Sequence, residues 1–445
     1  MSQSIEQEFT PKRLFHFVIP SVIMMAVMSL YTIVDGICIS YFVGSNALSS
    51  TNIVYPVVSL LMAVGVMLAT GGSAYVAMQL GEGKKQHARE AFSMIFVVGI
   101  VVSVVMAVFT FLLREKLCFW LGANELLLSD CIKYLCVLMA FAPACMLQSL
   151  YQSFLVTAGK PKLGMVLIIA AGVVNAVLDV VFMGVCGMGV EGAALATGIG
   201  QVIPAVVGTL FFLKKEGDLY FTRFFMEGKI ILQSCGNGSS EMVSQLANAV
   251  ITVLFNAILM RMEGADGVAA ITIILYGQFL MSSIYLGFSF GVAPIFGYQL
   301  GAGKKEEIRC LYRMCAITIA VSAVIVTAVA AFGGNYIVRA FVSPGTRTYE
   351  LASWGFFLFS FGYLFCGFNI FTSGLFTALS DGKRSAEVSF ARTFVFILIC
   401  LLVLPKVIGI DGVWLAIPLA EAATFLLSLF LTVKYLGRQY FRKNV

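Results

Sequence analysis

Long apolar stretches, cut by short clusters of glycine, proline and charge, set the rhythm of this 445-residue chain. Cutting at those clusters leaves twelve helical candidates, at 14–42, 51–80, 91–113, 130–157, 163–184, 191–213, 230–261, 265–299, 308–333, 347–380, 386–408 and 411–436. Each exceeds the roughly 20 residues that a helix rising about 1.5 Å per residue needs to cross the hydrocarbon of a bilayer. Several are longer than that crossing requires, so tilt, kinks or extensions beyond the bilayer are expected. Transmembrane strands would instead show segments of about ten residues with alternating polarity, and that pattern is absent. The chain therefore reads as an all-α polytopic membrane protein with twelve transmembrane helices.

The stretches also repeat. QLGEGKK at Gln79–Lys85 returns as QLGAGKK at Gln299–Lys305, an offset of 220 residues with one substitution. GSNALSSTNIVY (Gly44–Tyr55) aligns with GADGVAAITIIL (Gly264–Leu275), and GVEGAALA (Gly189–Ala196) with GIDGVWLA (Gly409–Ala416), in the same register. Between them the register slips by three, so that Gly159-Lys160 matches Gly382-Lys383. A repeat of this length is a duplicated unit, here of six spans. An even number of spans brings both copies into the membrane from the same side, which makes two pseudo-symmetric six-helix lobes about an axis along the membrane normal. A cleft between two such lobes suits alternating access by rocking. The expected division is an amino-terminal lobe at 1–213, a linker at 214–229 (KKEGDLYFTRFFMEGK) and a carboxy-terminal lobe at 230–445.

Composition agrees with the pattern: 60% of residues are hydrophobic and 12% charged, with a mean hydropathy of +0.95, against about 45–50% apolar and 25% charged in soluble domains. The opening MSQSIEQEFTPKRLFHF lacks a short apolar core and cleavage site, so no signal peptide is expected. The eleven cysteines are scattered through apolar runs without paired spacing and read as small buried hydrophobes. With the N-terminus inside, twenty-one Lys and Arg fall on cytoplasmic segments, Arg442 and Lys443 among them, and seven on the outside. That bias is the positive-inside signal. It places both termini in the cytoplasm and explains the net charge of +6 without nucleic acid.

Ionisable groups within a span are costly and mark function. Asp35 in the first span lies eight residues before the outer loop at Gly44; Asp179 in the fifth lies six before the turn at Val185. Thr197 in the sixth span follows that turn at a similar distance, so all three sit on the order of 10 Å below the outer surface. Asn175 precedes Asp179 by one turn on the same helix face. Two carboxylates in a low-dielectric site cannot both ionise cheaply. The pair can take up a proton, or hold Na⁺ with the Asn175 and Thr197 oxygens as further ligands; each Asp can also be read as capping a helix end or snorkelling. Pro20, fifteen residues before Asp35 on the same span, is a candidate bending point. Glu241 follows the helix-weakening GNGSS at Gly236–Ser240 and reads either as a contact for a cationic substrate or as the cap of a broken helix. Glu421 aligns with Gln201, and one reading pairs it with Arg392. Twenty Met, 38 Phe and 16 Tyr, Tyr31 among them as a candidate substrate contact, offer a deformable aromatic lining. Both histidines, His16 and His87, lie at span ends. No catalytic or metal-ligand spacing points to an enzyme, and no cofactor is expected beyond the coupling ion.

Several segments together resemble the multidrug and toxic compound extrusion (MATE) family. IPSVIMMAVMSLYTIVDGICISYFVG is similar to its first helix, with Pro and Asp. MLATGGSAYVAMQLGEGKKQHA is similar to its second helix and first cytoplasmic loop. VVNAVLDVVFMGVCGMGVEGAALAT is similar to its Asn…Asp and Gly-Ala-Ala-Leu-Ala-Thr segment, and GFSFGVAPIFGYQLGAGKK to the matching part of the second lobe. The resemblance implies a V-shaped pair of lobes in a bacterial inner membrane, and antiport of organic cations against H⁺ or Na⁺. Within the DinF-like and MepA-like branch, Asp35, Asn175, Asp179 and Thr197 match the coupling-ion site and Pro20 the bending residue. The NorM-like branch uses acids of the second lobe, where Phe255 and Ile399 stand opposite Asp35 and Asp179. The expected partners are small organic cations and the bilayer, and the expected state is a monomer. The alternative is a flippase or exporter of lipid-linked saccharides or another lipid-like substrate, which should line its cleft with several basic residues; clear of the span ends only Arg392 is basic.

Overall fold

A computed structural model describes residues 5–6, 9–123 and 125–441; Arg442 and Lys443 lie outside them. The first lobe comprises α1 (Pro11–Phe42), α2 (Ser45–Gly81), α3 (Lys85–Trp120), α4 (Glu125–Ala140), α5 (Ala142–Thr157), α6 (Pro161–Asp179) and α7 (Gly189–Leu213). The second comprises α8 (Gly228–Met262), α9 (Gly264–Gly301), α10 (Lys305–Phe341), α11 (Arg347–Ser360), α12 (Tyr363–Ala378), α13 (Gly382–Phe390), α14 (Phe396–Ile408) and α15 (Ile410–Leu431). Ten helical stretches are long and apolar enough to cross a bilayer, and two bent pairs bring the total to twelve among the described residues.

The bends are where the structure departs from the expected spans at 130–157 and 347–380. α4 meets α5 at 54° and α11 meets α12 at 55°. The breaks fall at Phe141 and around Phe361, 220 residues apart. Pro143 in the first turn of α5 has no N–H to donate to the turn before. The second bend has no proline; Gly362 stands there, closely opposed to Pro418.

Duplication is visible in what each lobe turns outward. On α3 the exposed positions include Val101, Val104, Val105, Phe109 and Leu112; on α10 they include Val321, Val324, Ile325, Val329 and Phe332, the same five positions 220 residues on. An apolar stripe with helical spacing facing away from the protein is a surface for lipid.

The lobes meet through pseudo-equivalent pairs, α2 against α8 and α1 against α9. Their tightest contacts lie toward the end that carries both QLG loops, referred to below as the basic end. A Cβ on Gly81 would overlap the Tyr298 carbonyl and stand 2.9 Å from the Ala302 nitrogen. Reciprocally, one on Gly301 would overlap the Met78 carbonyl and stand 2.9 Å from the Glu82 nitrogen. Small residues let helix backbones approach this closely in a membrane. The other glycine of each motif ends its helix: Gly83 (φ 76°) and Gly303 (φ 68°) are left-handed. Lys84 and Lys304 donate back to the Gln79 and Gln299 carbonyls at 3.0 and 3.1 Å, a Schellman closure.

The helix break that one reading of Glu241 requires at Gly236–Ser240 does not occur; α8 runs through it unbroken, as the span expected at 230–261 does. The small residues serve packing instead. A Cβ on Gly238 would overlap the Met67 carbonyl, and Gly71 faces the Ser234 carbonyl and the Gly238 nitrogen just as closely. Hydroxyls tie the same stretch of α8 to α12 and α13 of its own lobe. Ser385 Oγ donates to Ser240 Oγ at 2.8 Å, and Ser373 and Thr377 lie 3.0 and 2.8 Å from Ser385 Oγ.

Residues 214–227 join the lobes but lie along the first. Lys85 Nζ donates to Asp218 Oδ1 at 2.7 Å and Arg89 Nε to the Asp218 carbonyl at 2.9 Å. Thr222 N donates to Ser93 Oγ at 2.9 Å, and Glu227 N lies 3.3 Å from Met94 Sδ. The Phe221 ring packs 5.0 and 5.3 Å from Phe92 and Phe96.

Candidate functional site

Within the first lobe α1 packs on α6, and α6 on α7. This brings Asp35 to Asp179 with their carboxyl groups within hydrogen-bonding reach. Asp179 is fully buried and is the last residue of α6; the chain continues as a π-helical turn, Val180–Val185. Widened turns of this kind recur at functional positions. One turn before Asp179, Asn175 Nδ2 donates to Thr197 Oγ1 of α7 at 3.4 Å.

The acceptors of this group lack donors. Both Asp179 oxygens, Oδ1 of Asp35 and Oδ1 of Asn175 are buried and accept no hydrogen bond from the protein. Buried polar atoms are nearly always satisfied, so four unsatisfied acceptors in one place are a setting for a proton or a small cation. Among the described residues no cluster of three or more His, Cys, Asp or Glu could hold a metal. A cation here would meet two carboxylates and neutral oxygens, a set suited to H⁺ or Na⁺.

A small cavity adjoins the pair toward the basic end. Tyr31, Gln148, Asn175, Thr197 and Gln201 give it polar walls, and Gly172 and Gly200 leave the space. Tyr31 and Asn175 are each one turn from an aspartate, so the cavity lies beside the acid pair, and neither aspartate lines it. The sequence reading missed Gln148 and Gln201 as lining residues. Their signal was available, since each is an amide within an apolar span.

Two other expected residues lie elsewhere. Pro20 does not interrupt α1, and α2, α7, α9, α14 and α15 also carry internal prolines. It sits at the joint with the second lobe, where Gly287 faces Ser21 and Val22, and Gly291 faces Val18. Glu241 belongs to α8 in the second lobe, within Coulombic range of Arg392. That reach, and the continuous helix, remove its reading as the cap of a break.

The family model "MatE" matches residues 20–181 and 241–402, corresponding stretches of the two lobes. The multidrug export protein MepA of Staphylococcus haemolyticus (strain JCSC1435) is 24% identical, over 96% of this chain and 94% of its own. MepA of Staphylococcus aureus (strain N315) is 23% identical, over 94% and 93%. A solved outward-facing conformation of a multidrug resistance MATE family transporter of the MOP superfamily superimposes with a TM-score of 0.91 at 22% identity, covering 97% of each chain. A MOP superfamily transporter from Pyrococcus furiosus Vc1 (DSM3638), described by the reverse polarity of its binding pocket, gives 0.89 at 22%, covering 98% of each.

Proposed function

The chain belongs to the MATE family, and from that premise we propose that it is a cation-coupled antiporter exporting organic, mostly cationic amphipathic compounds by alternating access. The observation that carries this reading is the Asp35–Asp179 pair, three of whose four carboxyl oxygens are buried without a donor, beside a small cavity in the same lobe. The relatives' multidrug export agrees with it.

In this reading the protein is a monomer of the bacterial inner membrane, with the basic end toward the cytoplasm. The lobes are closed there by the glycine contacts, so the conformation is the one that faces outward. H⁺ or Na⁺ enters from outside and binds at Asp35 and Asp179, with Asn175 and Thr197 as neutral ligands for Na⁺. Charge on the pair then falls, α1 shifts against α6, and the cavity beside Tyr31 changes shape and releases its drug. Pro20 lets the lower part of α1 follow, and that part is packed on α9. The lobe contact is therefore mechanically linked to the acid pair. Loss of the cation to the cytoplasm resets the site.

A flippase for a pyrophosphate-linked lipid is the weaker reading, because Arg392 already donates to Glu421. The test is drug efflux from proteoliposomes with pH and Na⁺ gradients imposed separately. One gradient should drive efflux in the wild type, and Asp35→Asn with Asp179→Asn should abolish the driven component. Gradient-driven efflux that survives the double substitution overturns the mechanism.

A further inference from the structure

Where the first lobe has a cavity, the second has an ion pair. In the register of the Gly189–Gly409 match, Gly172 and Gln201, which line the cavity, correspond to Arg392 and Glu421. Arg392 leaves a π-helical turn, Ala391–Val395, and its Nε donates to Glu421 Oε1 at 2.8 Å. Its Nη2 lies 3.3 Å from Cys366 Sγ. The other Glu421 oxygen accepts from Asn369 Nδ2 at 2.7 Å, and Asn369 Oδ1 accepts from Ser428 Oγ at 2.9 Å. A second acid, Glu241 on α8, which packs on this turn, lies within Coulombic range of the same guanidinium. The second lobe thus gathers two carboxylates about one fixed cation. The first gathers two carboxylates whose buried oxygens have no protein donor.

We propose that Arg392 is a tethered counter-ion, doing for the acids of the second lobe what a mobile cation does for Asp35 and Asp179 in the first. It thereby limits this chain to one exchangeable cation. A guanidinium does not give up its proton at any relevant pH and, being covalently held, cannot cross the membrane. A lobe whose acids share a fixed counter-ion carries no coupling ion. Its acids are spent on a fixed network, and exchange is left to the lobe whose equivalent positions are Gly172 and Gln201. Arg392 is a specificity-determining residue for coupling, acting through Glu241 and Glu421 rather than on the drug.

The contrast rests on the reading of Asp35 and Asp179 as the first-lobe cation site, and the test keeps the two apart. Exchangeable cations per purified full-length chain would be counted by radiolabelled Na⁺ binding and by proton uptake across a pH titration. The wild type should exchange one, lost in Asp35→Asn with Asp179→Asn. Removing only one partner of a buried pair is disruptive, so Arg392→Gly is combined with Glu421→Gln, the residues of the first lobe. That protein should exchange a second cation, lost again on adding Glu241→Gln. Glu241→Gln alone should leave the count at one. A folded Arg392→Gly, Glu421→Gln protein that still exchanges one cation overturns the proposal, as does a lower count in Glu241→Gln alone. If the paired variant does not fold, the Glu241→Gln arm decides. A wild-type count untouched by the aspartate substitutions defeats the coupling reading, while the Glu241-dependent difference still tests Arg392.

Discussion

Asp35 of α1 and Asp179 of α6 hold their carboxyl groups within hydrogen-bonding reach of one another, and neither Asp179 oxygen receives a donor from the protein. The groups beside them divide by chemistry. Asn175 contributes an unsatisfied carbonyl oxygen at the pair, whereas Tyr31 presents a ring to the cavity. Asn175→Ala is therefore expected to raise the half-saturating cation concentration about tenfold, the equivalent of about 1.4 kcal/mol, with the drug KM held. Tyr31→Ala should do the reverse, raising the drug KM and leaving the cation dependence in place. Transport measured in proteoliposomes over both concentrations separates them, and equal shifts in both parameters would count against this division of roles.

The contact of Gly81 with the Tyr298 carbonyl, mirrored by Gly301 and Met78, leaves no room for a methyl group. Gly81→Ala should hold α2 off α9 by on the order of 1 Å, the retreat an overlapping Cβ needs to reach van der Waals contact, and Gly81→Leu by more. Hydrogen exchange at residues 71–85 and 291–305 should rise in that order, with transport falling. Gly36→Ala is the control, since a Cβ there would meet only the Tyr276 hydroxyl at 3.8 Å. Unchanged exchange in Gly81→Leu would mean that the joint is looser than its geometry.

One methyl group should have opposite consequences at two glycines of the first lobe. At Gly172 a Cβ would come no closer than 3.4 Å to Tyr31, beside an open cavity, so Gly172→Ala should leave thermal stability nearly unchanged. Gly198 faces the ring of Phe141, the residue at the α4–α5 bend, and its Cβ would overlap that ring. Overpacking of this kind costs about 1–3 kcal/mol, so Gly198→Ala should melt at a visibly lower temperature in detergent. Equal melting temperatures would show that Phe141 moves freely.

The spans, their pairing into lobes and the register between them were legible because lipid and backbone hydrogen bonding impose a coarse, repeated pattern. The meeting of Asp35 with Asp179 followed from counting residues to the nearest turn, since helices of fixed rise convert sequence distance into depth. The bend at Phe361 was hidden because no proline marks it. Gly236–Ser240 left Glu241 with two readings for a related reason. Helix propensity describes an isolated helix, and in α8 those residues answer to the backbone of α2 instead. The Gln148 and Gln201 walls required the packing of α5 and α7, which no linear distance encodes.

The binding of residues 214–227 along α3 has a mechanical consequence. A free tether of that length could reach about 45 Å at roughly 3.3 Å per residue and would let the lobes part in any direction. Fastened from Asp218 to Glu227, it has almost no slack. The second lobe starts at Gly228 as if from a pivot set on the first. Any swing of one lobe against the other then has its smallest amplitude beside α3 and the start of α8, and its largest at the far ends of the helices. In the proposed alternating access, the stroke is then set by helix length rather than by the linker.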